Sequence, residues 1–146
     1  MSFSKTLESM TREELIRYAE LLSKNFMSLD GYWFLGVEEK YGLEAAIEHD
    51  KVAWSKFAVT EARRLKEFLG IRDGTIDDLQ RAMRLLSFGT TSGVETAIAN
   101  GRLVVTITNC RPQQARLRAG RGEFPCKPVG IAHLSAFARE INPAFK

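Results

Sequence analysis

The chain is 146 residues long, 45% hydrophobic and 27% charged, which are the proportions of one globular domain able to bury its own core. Its polar, charged start and the lack of any run of about 18 to 20 apolar residues exclude a signal peptide and a membrane helix by pattern, so the expected location is the cytoplasm. Two cysteines are too few for a disulfide-stapled scaffold, and the net charge of +3 comes without helix-turn-helix, RNA-recognition or zinc-finger spacing, so nucleic acid is not the expected partner.

Charge is laid out unevenly. Residues 1–50 hold five Lys or Arg against ten Asp or Glu, while residues 110–146 hold seven against two, so the two ends can attract each other. In chain order, Thr11 and Glu14 form a capping box that opens a helix over residues 12–25, with Leu15, Ala19, Leu22 and Phe26 as its apolar stripe. Asp30 reads as the cap of a second helix that presents Trp33, Phe34, Val37 and Tyr41 and stops at Gly42. Residues 43–69 contain neither proline nor glycine and repeat Ile47, Trp54, Phe57, Leu65 and Phe68 at a period near 3.6, predicting one long helix closed by Gly70. Thr75 and Asp78 open another helix.

The period changes after Gly89. Val94, Thr96 and Ile98 alternate with less apolar residues up to Asn100-Gly101, a strong signal for a two-residue hairpin turn. That turn sets Ile98 opposite Leu103, Thr96 opposite Val105 and Val94 opposite Ile107, leaving one apolar face for the helices. A lone hairpin is marginal in water, so more strands are expected, from residues 120–127, from a second subunit or from further chain. Pro112 opens a short helix that closes near Gly120, and a final helix runs over residues 130–141. The predicted fold is α+β in a single domain, residues 1–146. A helical half, residues 1–88, packs on a small antiparallel sheet, and residues 89–146 carry the hairpin and short cysteine-containing helices.

Several residues fit a purely structural role poorly. Asp50 falls inside the apolar stripe of the long helix among Ala46, Ile47, Ala53 and Trp54, and Glu61 repeats this between Phe57 and Leu65. An inward carboxylate needs a donor or a raised pKa. Arg111 and Arg116 are the expected forks for Asp50, and the alternatives are a structural ion pair and a ligand or acid–base role. Cys110 and Cys126 each precede a helix start, where a thiolate is favoured; core packing is the plainer account. With His133 they give a Cys-x15-Cys-x6-His set that could hold a metal such as zinc, without the tight Cys-x-x-Cys knuckle of structural zinc sites. Arg111, Arg116, Arg118 and Arg121 could grip a carboxylate or phosphate, while His49 and His133 have no triad motif beside them.

The segment from Asp30-Gly31-Tyr32-Trp33 through Tyr41-Gly42 to Asp50 and Trp54, and the stretch from Cys110 through Cys126-Lys127-Pro128 to the final helix, resemble an uncharacterised prokaryotic family described as a domain of unknown function or "cytosolic protein". The order strand, cysteine, helix, cysteine, helix is also faintly similar to proteins named L-2-amino-thiazoline-4-carboxylic acid hydrolase-like. In the first family the chain continues past the final helix into another strand with further cysteines and a Pro-Pro-Asp stretch. If that segment is absent, a cysteine site here is incomplete.

The expected function is a pocket for a small, partly apolar or anionic molecule, with Trp54, Glu61, Arg111 and Arg116 binding it. Whether it is an enzyme stays open. The hydrolase resemblance implies Cys110 and Cys126 near the chemistry, Asp50 as acid or base, and arginines holding a carboxylate. The alternative is a non-catalytic module that dimerises through its hairpin or helices, or a cysteine-based metal-binding protein. A pocket lined by Asp50, Trp54 and Cys110 favours the first reading; a dry apolar subunit interface without one favours the module.

Overall fold

The computed structural model describes residues 2–146. Its elements in chain order are α1 (Phe3–Glu8), α2 (Arg12–Tyr41), α3 (Leu43–Leu69), α4 (Ile76–Met83), α5 (Gly89–Ser92), β1 (Val94–Ala99), β2 (Arg102–Ile107), α6 (Arg111–Arg118) and α7 (Lys127–Ile141). The α+β expectation holds. No helix among the described residues is long and apolar enough to cross a membrane.

The capping box that opens α2 is complete: the Thr11 amide donates to Glu14 Oε2 at 2.8 Å and the Glu14 amide donates to Thr11 Oγ1 at 3.2 Å. From there one helix of 30 residues runs straight through the expected break, so Asp30 lies inside a helix and caps nothing. Gly31 and Gly36 cost the helix about 1 kcal/mol each, which a helix of that length tolerates when its faces are used. Gly42 then serves as both the last cap of α2 and the first cap of α3, with φ +90° and ψ 166°. That backbone conformation is open essentially to glycine alone, so a single residue makes the whole helical turn-around.

The core forms where α3 and α7 pack. Ala58 and Ala62 are fully buried and let the fully buried Phe137 come close, with Ala138 and Ile141 beside it. Leu79, Ala82 and Met83 of α4 close one end, and Val94, Leu103 and Val105 of the hairpin pack against the same cluster. Phe68, expected in the buried stripe of α3, is 78% exposed.

The hairpin has the expected register, with Val94 opposite Ile107, Thr96 opposite Val105 and Ile98 opposite Leu103. Asn100 and Gly101 take φ +51° and +70°, as a two-residue turn matched to the strand twist requires. No third strand joins it among the described residues, and residues 121–126 run without regular structure. The ribbon is supported by α4, where Arg84 Nε donates to Thr96 Oγ1 at 3.1 Å and Gln80 Nε2 donates to the Thr96 carbonyl at 3.3 Å. A helix therefore does the supporting that further strands were expected to do.

The expected apolar stripe of α2 holds at Phe26, which packs on Trp54 and Phe57, and fails nearer the N-terminus. Leu15 and Leu22 are exposed, whereas Ser23 and Met27 are buried. The reason is polar: the Ser23 hydroxyl donates to the Ser87 carbonyl and lies 3.4 Å from Thr91 Oγ1, which fixes that face against the turn before α5.

Candidate functional site

A cavity of about 410 Å³ lies where α2, α3, α6 and α7 meet. Its inner walls are apolar, with Met27, Phe34, Trp54, Phe88 and Val129 among the lining side chains. Trp54 sets the geometry. It is 8% exposed and meets Phe26, Phe57, Phe88 and His133 edge-on, with ring centroids 5.9, 5.7, 5.7 and 5.1 Å away. These edge-to-face contacts favour the quadrupoles of the rings and leave little freedom to the indole.

Two carboxyls enter the cavity from facing helices, Asp30 from α2 and Asp50 from α3, one turn before Trp54. Burial pushes Asp50 up to about 7, the neighbouring Asp30 charge adds to the rise, and the Trp54 indole, a hydrogen-bond donor, works against it. Burial pushes Asp30 up to about 6, again against the same indole. Among the described residues neither carboxyl has a Lys, Arg or His within ion-pair distance. The pair can thus hold and release a proton close to neutral pH.

The expected pairing of Asp50 with Arg111 or Arg116 is not formed. Arg116 is buried and forks onto Glu38, Nη1 to Oε2 at 2.6 Å and Nη2 to Oε1 at 3.0 Å, while its Nε donates to the Gly122 carbonyl at 3.2 Å. Its guanidinium lies over the contacting pair Phe34 and Phe124, 5.7 and 5.4 Å from their ring centroids. The Arg116 hydrogen bonds hold the Glu38 carboxyl below its ordinary range, although burial opposes them. This pair fastens α6 to α2 and so builds the wall of the cavity. Arg121 is drawn to Glu39 at 2.9 Å, so the basic third does meet the acidic first third, two turns beyond Asp30. Arg111 and Arg118 also line the cavity and have no acidic partner among the described residues.

Glu61 does not line the cavity. Its Oε1 accepts from the Ser87 amide at 2.6 Å and from the Ser87 hydroxyl, which caps the turn after α4. Its Oε2 stands 3.8 Å from His133 Nε2, and these two buried atoms have no hydrogen-bond partner. His133 itself is 3% exposed and lines the cavity, so Glu61 stands behind a residue of the site.

Cys110 and Cys126 are the residues preceding α6 and α7, as the helix starts implied, and both line the cavity. Neither is core-packed: Cys110 is half-buried, Cys126 is exposed, and both are free thiols. No group of three or more His, Cys, Asp or Glu able to hold a metal ion occurs among the described residues. The set Cys110, Cys126 and His133 shares one cavity yet does not converge on one point, so the zinc expectation lacks the close ligand geometry it needs.

Of the expected site residues, the structure brings Asp50, Trp54, Cys110, Cys126, His133, Arg111 and Arg116 to one cavity and leaves out Glu61. It adds Asp30. The signal was available, because Asp30 lies four residues from both Phe26 and Phe34 on a helical face, as Asp50 lies four from Trp54. Its place just before Gly31 made a cap the more natural reading. Gly31 and Gly130 also line the cavity, and a Cβ at either would meet nothing within 4 Å. A second concavity of about 400 Å³, near Arg63, Lys66 and Arg72, is a surface depression whose lysine is committed to the α7 carbonyls of Glu140 and Ile141, at 3.1 and 3.2 Å.

Residues 8–146 match the model of a family described as a family of unknown function, DUF6125. No curated protein matches the chain, and no solved structure does.

Proposed function

Because the chain belongs to DUF6125, whose description assigns no activity, its function has to be read from its own cavity, and we propose that it binds a small, partly apolar molecule there. The observation that carries this reading is an apolar cavity containing two carboxyls that no basic side chain neutralises. Burying acids without a partner costs stability, and such arrangements concentrate at working sites. At about 410 Å³ the cavity falls within the usual size of small-molecule sites.

A hydrolase-like step is the enzymatic form of the same reading. What supports it is the Asp30–Asp50 pair, where one carboxyl can give a proton while the other takes one, with the Cys110 and Cys126 thiols lining the same cavity. The rival, a dimerising module, draws on one specific observation. Leu15, Leu22 and Leu29 are 41, 49 and 60% exposed at seven-residue spacing along α2, the spacing of a two-helix seam with a second copy of the chain.

The test of binding uses the uncharged fluorescent dye N-phenyl-1-naphthylamine. The Gly130→Leu protein should fold with an equal or higher melting temperature, since helix propensity favours leucine by up to about 1 kcal/mol, and should lose dye binding because the side chain fills the cavity. Equal dye binding by the two proteins would refute the cavity as the binding site.

A further inference from the structure

We propose that the occupant of this cavity is an apolar amine, its ammonium held between Asp30 and Asp50 and its hydrocarbon body laid against Trp54, Phe88 and Val129. The inference rests on the small-molecule reading above and adds the chemical class of the ligand.

Charge balance is the first ground. Asp30 and Asp50 enter the cavity from α2 and α3 without an ion-pair partner, while two of the four guanidiniums on the α6 side are spent on other acids. Arg116 is spent on Glu38 and Arg121 on Glu39. Arg111 and Arg118 line the same cavity but form no ion pair with either acid. Above the pH at which the pair takes up protons, a cation carried by the ligand can neutralise it. One positive charge placed between two carboxyls replaces a repulsion by two attractions in a site that is largely out of water.

The walls say what kind of cation it is. A metal ion wants at least three hard or borderline ligands, and no such group exists among the described residues. Aromatic faces suit an organic ammonium instead, because the negative face of the ring quadrupole attracts a cation and the same rings cover a hydrocarbon body. Trp54, Phe34 and Phe88 line the cavity close to the carboxyls on α2 and α3. The imidazole of His133 also lines the cavity, 3% exposed, with its Nε2 held 3.8 Å from Glu61 Oε2 outside the cavity.

The inference carries a pH signature. The groups facing the carboxyls are each other across α2 and α3, His133 from α7, and Cys110, Arg111, Arg116, Arg118, Arg121 and Cys126 from α6 and the loops around it. At pH 8 both acids are ionised and the amine meets two charges. As pH falls through 7 and 6 the pair takes up protons, and each proton competes with the ammonium.

The test displaces N-phenyl-1-naphthylamine with three probes of one shape: 2-phenylethylamine, 2-phenylethanol and 3-phenylpropionate. At pH 8 the amine should compete at least tenfold better than the alcohol and the acid, and this preference should shrink at least fivefold by pH 5. In the Asp30→Asn, Asp50→Asn double variant the amine should fall to the level of the alcohol, with the alcohol itself unchanged. Equal competition by the three probes, a winning acid, a preference that survives in the double variant, or an amine that fails to displace a dye still sensitive to Gly130→Leu would each overturn the amine inference and leave the cavity standing. A dye insensitive to Gly130→Leu would instead remove the cavity reading beneath it.

Discussion

Asp50 shows how a single residue can be both misplaced for stability and well placed for work. Its folded pKa, about 7, lies above that of an unfolded aspartate near 3.9, so between those values the folded protein holds a proton that the unfolded chain releases. The stability this gives is fully present below about pH 4 and is lost as pH rises through about 7. Asp50→Asn removes the charge and keeps the shape. The variant should therefore be more stable than the parent at pH 8, by about 1 to 2 kcal/mol once solvent screening of a partly exposed group is allowed for, and the gap should close toward pH 4. Chemical denaturation of both proteins at pH 5 and 8 checks this, and a variant less stable than the parent at pH 8 would show that Asp50 is held by a structural bond. The oddity of Asp50 was legible because a carboxylate interrupts an apolar period. Its partner was not, because periodicity reports which face a residue shares and says nothing of what lies opposite. Arg116 went to Glu38, which lies two turns beyond Asp30 on α2, a choice fixed by where α6 docks.

Among the elements, those with local signals match the expectation from sequence, and α2, whose extent and packing neighbours decide, departs from it. The boxes at Thr11 and Thr75, the glycine stop at Gly70 and the Asn100-Gly101 turn are each closed within a few residues, and all formed as written. The burial of Ser23 on α2 depends on Ser87 and Thr91, more than sixty positions away. The hairpin gives the sharpest test at this scale. Asn100 has φ +51°, which the proline ring forbids, so Asn100→Pro should lower the melting temperature by several degrees and weaken protection of the β1–β2 amides from hydrogen exchange. Unchanged exchange at Val104 and Thr106, whose amides belong to the hydrogen-bonded pairs of this register, would mean that the pairing does not depend on that turn.

On the scale of the whole molecule, the exposed face of α2 is the feature least accounted for by the chain's own contacts. Besides the three leucines, Ile16, Leu21 and Trp33 are 52, 49 and 70% exposed. The dimerising reading predicts that the protein self-associates at micromolar concentration and that Leu22→Glu with Leu29→Glu makes it monomeric with its dye binding intact. Sedimentation velocity over a hundredfold range of concentration decides it, since a monomer throughout would remove the second copy from consideration. Such a surface is legible as apolar in the sequence through Leu15 and Leu22, but periodicity does not say what covers it.

The junction of α3 with α7 also has a consequence in time. Ala58 and Ala62 meet Phe137 and Ala138 across a long stretch of intervening chain, within which α4 and the hairpin lie. Local helices and a tight turn form fast, whereas a contact between distant segments must first overcome the entropy of closing the loop between them. In a chain emerging from its N-terminus, α3 is made early and stays half-clothed until α7 follows. The order of synthesis thus leaves the central helix of the core waiting longest for its cover, in the interval when bare apolar surface is most open to wrong company.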